Sequence, residues 1–371
     1  MVNSYELPPL PTGSTVWTLA TDLRGCRRLP APIRGRIRRF KASGISITVP
    51  RIVSGAALFY ARETSMAPDA PAAMHQAWTN LCVTNPRVEA AGGVPRLVID
   101  FVGSNLQRAL TEVYGVSVGL AAASMIYGVP LQRWGSLGHE RLDYECQAGP
   151  HQRIRVEVRG RKNGGGWKRA RDEAREKLRA TSNVDLKGAL LVAVCDTADF
   201  GKPNLFFMDP EGSRYGNYGR FEAERLILDH YTDVAWAQGH RRTALLLSQY
   251  AGASDSVLEK YLMTGNPDIF TSPSATFDLG GRELLGTYFT DIALPESLSP
   301  DGAAVIGTVF DGVTSTVATQ LRKGEVLDIE PNAEDEGTHG RRRFVLGSDG
   351  RAVVFLRPKR GDSTSDQGDV P

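Results

Sequence analysis

The sequence predicts an α/β protein built on a mixed central sheet flanked by helices, with additions at both chain ends. Three observations carry that expectation. Residues 141–159 alternate polar and apolar side chains on both sides of a Gly-Pro turn, the two-residue period of an antiparallel hairpin. Residues 167–180 place Trp167, Ala170, Ala174 and Leu178 on a thin apolar stripe of a very basic helix. Residues 186–196, LKGALLVAVCD, form an apolar run of strand length that suits the centre of a sheet covered on both faces.

In chain order, residues 1–13 and 361–371 are poor in apolar side chains and rich in Pro, Gly, Ser and Asp, so both ends are expected to be disordered. Residues 14–94 form a basic N-terminal layer. Within it, SITVPRIVSGAALFYA reads as strand material interrupted by Pro50 and Gly55, and PAAMHQAWTNLCV as a short helix. Pro95 stands where a helix can begin. Leu97, Phe101, Leu106, Ala109, Leu110, Val113 and Tyr114 follow at roughly helical spacing up to Gly115. A second helix of small residues is expected over 117–127, stopped by Gly128 and Pro130.

In the hairpin, a turn centred on Pro150 makes paired positions sum to 300. Asp143 then faces Glu157, and Glu145 faces Arg155, with opposed Cβ atoms about 4.5–5.5 Å apart. The Gly-rich turn 163–166 leads into the basic helix, then come the buried strand and a further strand over 204–208. Helices are expected over 221–237, 241–250 and 254–263, the last capped by Ser254 or Asp255. Residues 343–346 and 351–356 flank turn residues and read as a hairpin. The domain reading is therefore a core over 95–215 and a C-terminal region, helical and then β, over 216–360.

With 371 residues and 41% hydrophobic content, the chain can bury one large core or two modest ones, and whole-chain disorder, collagen and coiled coil are excluded. The apolar stretches 116–129 and 190–195 are too short or too rich in small residues to span a bilayer, and no signal peptide is evident, so the expectation is a cytoplasmic protein without membrane contact. Cys26, Cys82, Cys146 and Cys195 have no zinc-ligand spacing and read as reduced thiols. The net charge is only +2, but residues 23–62 carry ten basic side chains and no acidic one, residues 151–180 are +7, and residues 184–338 are −13. A basic front of this kind suits contact with a polyanion, nucleic acid above all. The alternative is that the two halves neutralise each other.

The order of helix, hairpin with Asp and then Glu, basic helix and buried strand carries Leu142-Asp143-Tyr144-Glu145 and Val156-Glu157-Val158-Arg159-Gly160-Arg161. It resembles the core of the restriction-endonuclease-like nucleases, the PD-(D/E)xK superfamily, over residues 97–207. The resemblance implies that Asp143 and Glu157 hold Mg²⁺ or Mn²⁺, and that a lysine two positions after the Glu helps to activate water. Arg159 stands at that position. Arginine cannot act as a base, although it can hold a water or neutralise developing charge; Lys162 or Lys168 are the candidates to replace the lysine. Family members often carry a Glu in the first helix, where residues 103–107 offer only amides and Glu112 lies further along.

The implied activity is Mg²⁺-dependent phosphodiester hydrolysis of DNA by Asp143, Glu157, Arg159 and Lys162. Arg153, Arg155, Arg161, Lys168, Arg169 and Arg171 would grip backbone phosphates, and a protein partner supplying ATP-driven activity is common in the superfamily. The alternatives are a nucleic-acid-binding or scaffold protein of the same fold that no longer cleaves, a solvent-facing hairpin with surface ion pairs, and a pure interaction protein. His139 reads as a surface residue or a contact near the site, and His230 and His240 as structural. Tyr215, Tyr218 and Phe221, with Arg214 and Arg220, read as a docked loop or a stacking platform for bases. Gly164-Gly165-Gly166 is followed by Trp167 rather than Lys-Ser or Lys-Thr, so no phosphate loop is expected.

Overall fold

The computed structural model describes residues 14–17, 19–21, 29–63, 69–91, 94–100, 102–136, 143–149, 152–162, 166–181, 186–195, 205–212, 220–271, 275–329 and 334–358. The expectations for both termini, Cys26, His139, Arg214, Tyr215, Tyr218 and the turns at Pro150 and 163–165 lie outside these residues.

β1 (Ser14–Trp17), β2 (Leu19–Thr21), α1 (Ala31–Ser43) and β3 (Ile45–Thr48) come first. β1 pairs with β3. The stretch expected to be interrupted strand is β3 running straight into the helix α2 (Val49–Glu63). Pro50 sits in the first turn, where no N–H is needed, and Ile52, Val53, Ala56, Ala57 and Phe59 are buried at helical spacing. Gly55 is a contact rather than a break, since a Cβ there would lie 2.3 Å from Ser117 Oγ. α3 (Ala70–Val83) is the expected short helix, and Asp69 caps it by accepting the Ala72 N–H at 3.1 Å.

β4 (Arg87–Ala91) and β5 (Val94–Val98) form a two-stranded ribbon that bridges to Cys195 through Val98, so Pro95 lies in a strand instead of opening a helix. α4 (Ser104–Tyr127) then runs unbroken for 24 residues where two helices were expected. Gly115 is retained within it because the helix crosses Gly160 in contact: a Cβ on Gly115 would lie 2.2 Å from Gly160 Cα. By length and composition alone α4 is long and apolar enough to cross a membrane, and 72% of its most apolar window is buried in the protein.

β6 (Trp134–Ser136), β7 (Tyr144–Gly149), β8 (Gln152–Lys162), α5 (Trp167–Ala180), β9 (Leu186–Val194) and β10 (Leu205–Gly212) follow. With β2 they make a six-stranded mixed sheet in the order β2-β10-β9-β8-β7-β6. β8 and β9 are parallel, joined through α5, and β2 runs parallel to β10; the other pairs are antiparallel. Ile154, Val156, Val158, Leu190 and Val192 belong to the main core on the α4 side. On the other face Ala170, Ala174 and Leu178 of α5 pack on Ala189, Leu191 and Met208. The protein is thus α/β, with helices on both faces of a mixed sheet.

α6 (Glu222–Ala237), α7 (Arg241–Ala251) and α8 (Asp255–Thr264) match the expected helices to within two residues. A second, antiparallel sheet is built from β11 (Ala275–Asp278), β12 (Glu283–Leu294), β13 (Val305–Thr314), β14 (Asp335–His339), β15 (Arg342–Leu346) and β16 (Arg351–Leu356), with α9 (Ser315–Lys323) after β13. Of this sheet the sequence reading contained only the β15–β16 hairpin. Trp78 of α3 packs on Phe289 and Phe355 at centroid separations of 6.5 and 6.2 Å. One hydrophobic core therefore runs from Trp17 to Phe355.

Candidate active site

The hairpin has the register that the alternation implies. Tyr144 pairs with Val156, Glu145 with Arg155, Cys146 with Ile154 and Gln147 with Arg153, each pair summing to 300. β7 starts at Tyr144, so among the described residues β8 beyond Val156 has no antiparallel neighbour on that side. Asp143 fills the gap: its Oδ2 accepts the Val158 N–H at 3.2 Å, where a ladder carbonyl would otherwise stand. That bond holds Asp143 beside Glu157.

Glu157 is 1% exposed. Its Oε1 accepts from Lys177 Nζ at 2.6 Å and lies 2.8 Å from Arg159 Nη2, while Asp143 Oδ1 is 3.8 Å from both cations. Its Oε2 is buried and has no hydrogen-bond partner among the described residues. Glu112, from α4, lies 3.3 Å from Arg159 Nη1 and 3.2 Å from Arg161 Nη1. Among the described residues, three carboxylates and three cations thus interleave along β8 beyond Val156. Burial, followed by the neighbouring Asp143 charge, pushes the Glu157 carboxyl up to about 7, with Arg159 and Lys177 opposing the shift. Burial also raises Glu112, against Arg159 and Arg161. Burial disfavours the charge on Arg159, but Asp143, Glu157 and Glu112 outweigh it and hold the guanidinium protonated.

Of the residues singled out from the sequence, Asp143, Glu157 and Arg159 come together, with Arg161 beside them. The lysine at the carboxylates is neither Lys162 nor Lys168 but Lys177, three turns into α5. It precedes Leu178 on the stripe that packs on the sheet, but only the direction in which α5 crosses β8 shows that it reaches Glu157. Glu112 was visible as an acid in the first helix, without a position.

Arg153 and Arg155 leave the phosphate-contact set. Both pair with Glu145, which is fully buried: Arg153 Nε lies 2.8 Å from Oε1, Arg155 Nε pairs with Oε2, and Arg153 also pairs with Glu222 of α6. Burial raises the Glu145 pKa, against Arg155 and Arg153. The polar face of the hairpin is thus largely covered, not solvent-facing. Lys168 and Arg169 are exposed on the first turn of α5, where Arg169 pairs with Glu173 at 2.7 Å, and Arg171 is half-buried. Cys82, Cys146 and Cys195 are buried as small core residues. Arg220 lies over the Phe221 ring at 4.7 Å and pairs with Glu259. His230 is buried against Asp349, a structural role.

Beside the carboxylates, a groove of about 930 Å³ opens between the N-terminal halves of α4 and α5, over the end of β8. Arg159 and Glu112 belong to both groove and carboxylate cluster. Among the described residues no three His, Cys, Asp or Glu side chains converge as a metal cluster. Mg²⁺, however, keeps several waters and is commonly held by one or two carboxylates. Asp143 and Glu157 supply two, and the unpartnered Oε2 is an oxygen such an ion can take, so the donor set fits. No protein-family model, curated protein or solved structure matches the chain.

Proposed function

We propose that this chain is a Mg²⁺-dependent nuclease acting on DNA, with a restriction-endonuclease-like core over residues 95–215. The observation that carries the reading is the convergence of Asp143 and Glu157 where β8 runs past the start of β7, with Glu157 Oε2 buried and without a partner among the described residues. A bound Mg²⁺ would polarise a phosphoryl oxygen and lower the pKa of a water. Asp143 and Glu157 would hold it. Lys177, anchored on Glu157 Oε1, replaces the lysine missing at position 159, and unlike arginine it can exchange a proton with the attacking water. Arg159, pinned between Glu112 and Glu157, presents fixed positive charge to the charge that develops on the phosphate. Arg161, Lys162, Lys168, Arg169 and Arg171 are left to hold backbone phosphates.

One observation favours a second reading. Arg159 and Lys177 already neutralise Asp143 and Glu157, so charge balance at the site does not require an ion. On that reading the protein binds nucleic acid, or acts as a scaffold, without cutting it. Cleavage of supercoiled plasmid and single-stranded DNA in Mg²⁺, Mn²⁺ or EDTA separates the two. The nuclease reading expects metal-dependent nicking, abolished in Glu157→Ala and reduced about 100-fold or more in Lys177→Met, the scale of a lost proton-transfer group. A folded wild-type protein that retains DNA but does not cut it in Mg²⁺, in Mn²⁺ or in EDTA would decide for the second.

A further inference from the structure

The groove between α4 and α5 is lined by two buried side chains, each with a polar atom that has no partner among the described residues. Gln107 is 3% exposed; its Oε1 accepts the Val102 N–H at 3.4 Å, and its Nε2 has no partner among the described residues. Thr111, one turn further along α4, is 4% exposed, and its Oγ1 has no partner there either. The i, i+4 spacing places both on one face of α4, and both line the groove. Buried donors are normally satisfied, and an amide NH₂ donates only. Such a groove therefore suits a ligand rich in acceptors.

Charge and backbone agree on which acceptors. Arg108, Arg159, Arg161, Lys162 and Arg169 line the groove against the acids Glu112 and Glu173. The acids are engaged, Glu112 with Arg159 and Arg161 and Glu173 with Arg169, whereas exposed Arg108 makes no ion pair among the described residues. Both helices also open into the groove at their N-termini. Each has a glycine N-cap at positive φ, Gly103 at 98° and Gly166 at 64°, with no side-chain cap and no acid in the first turn. A Cβ on either glycine would meet nothing within 4 Å. Among the described residues, no side chain caps the first N–H groups of the two helices, which suit an anion.

We infer that this groove seats a backbone phosphate of a nucleic-acid strand, with Gln107 Nε2 and Thr111 Oγ1 donating to its oxygens between the two helix ends. The volume exceeds what a free oxyanion fills and lies in the range of organic ligands, so the phosphate is one carried on a chain. Arg159 spans from Glu112 to Glu157, so a strand held here leads directly to the carboxylates. The inference rests on the nucleic-acid part of the proposed function and is independent of cleavage.

The test is fluorescence-anisotropy binding of a labelled single-stranded oligonucleotide in EDTA, where no metal-dependent cutting occurs, with inorganic phosphate as a separate competitor. Thr111→Val is nearly isosteric and removes an unsatisfied buried hydroxyl, so its melting temperature should be equal to or above wild type. Its DNA affinity should fall about tenfold, the scale of one lost bond to an ionised group. Gln107→Leu should weaken binding similarly, and Arg108→Ala should weaken it and flatten its salt dependence.

Thr111→Val and Gln107→Leu variants that are folded and bind like wild type would overturn the inference, as would a wild-type protein that does not bind DNA at low salt. Displacement by inorganic phosphate at concentrations equal to the oligonucleotide's would mean a free oxyanion site and would also overturn it. Loss of binding in the groove variants together with absence of cleavage in any metal would leave the groove standing and remove only the nuclease reading.

Discussion

A carboxyl buried as deeply as Glu157, beside a second carboxylate, has a folded-state pKa of about 7 against the usual 4.5. Because the folded value lies above the unfolded one, the group contributes stability that is fully present below about pH 4.5 and is lost as pH rises through about 7. In EDTA, wild type should therefore lose more stability than Glu157→Gln between pH 5 and pH 8, as read by calorimetric melting temperature. Added Mg²⁺ should restore the wild type at pH 8, where Glu157 is ionised, and have little effect on the variant. Equal pH profiles for the two proteins would show that Glu157 is not the buried acid described. Sequence alone places Asp143, Glu157 and Arg159 on one strand-pair face, because the two-residue period is a local property. It does not place Lys177, which lies 20 positions from Glu157 and on a different element.

The crossing of α4 over β8 holds Glu112 against Arg159 and Arg161. A Cβ on Gly160 would lie 2.1 Å from Thr111 O and 3.0 Å from Glu112 Cα, both backbone atoms that cannot swing aside. Gly160→Ala should therefore destabilise the protein by about 3 kcal/mol, the upper range for overpacking, and should loosen the Glu112 contacts. Urea unfolding measures the first, and a stability equal to wild type would show that the crossing is more open than described. Elements whose pattern is local were legible: α5, β9 and the three helices α6 to α8. Gly115 and Pro95 misled because their usual meaning, a break and a helix start, is a statement about isolated segments. In the folded chain Gly115 is where two backbones touch, and Pro95 lies in a strand of a two-stranded ribbon that does not require its N–H.

At the scale of the molecule, the second sheet is fastened to the helices by buried charge. Arg351 pairs with Asp311, both at most 4% exposed, and donates to Ser54 O at 2.6 Å. Asp349 faces His230 of α6 at 3.0 Å and accepts from Tyr231 through its carbonyl at 2.8 Å. Arg351→Met would leave Asp311 uncompensated and should destabilise by about 3–5 kcal/mol, seen as a lower denaturation midpoint. A midpoint within error of wild type would mean that Asp311 is neutralised in another way. The basic front is partly answered within the chain: Arg51 pairs with Glu334, and Arg36 donates to the Ile126 and Tyr127 carbonyls at the end of α4. The surplus that remains beside the candidate site is the one carried by β8 and α5.

From the sequence alone came the α/β class, the hairpin with its register, the basic helix and the buried strand. Side-chain period, turn chemistry and composition act over a few residues, so they are written in the order of the chain. Only the tertiary structure decided that Lys177 and Glu112 meet Glu157 and Arg159, that Arg153 and Arg155 close on Glu145, and that Gln107 and Thr111 face a groove between two helix ends. Those meetings depend on crossing angles and on which face of a helix turns inward. Packing across the whole core sets both, and neither has a local signature.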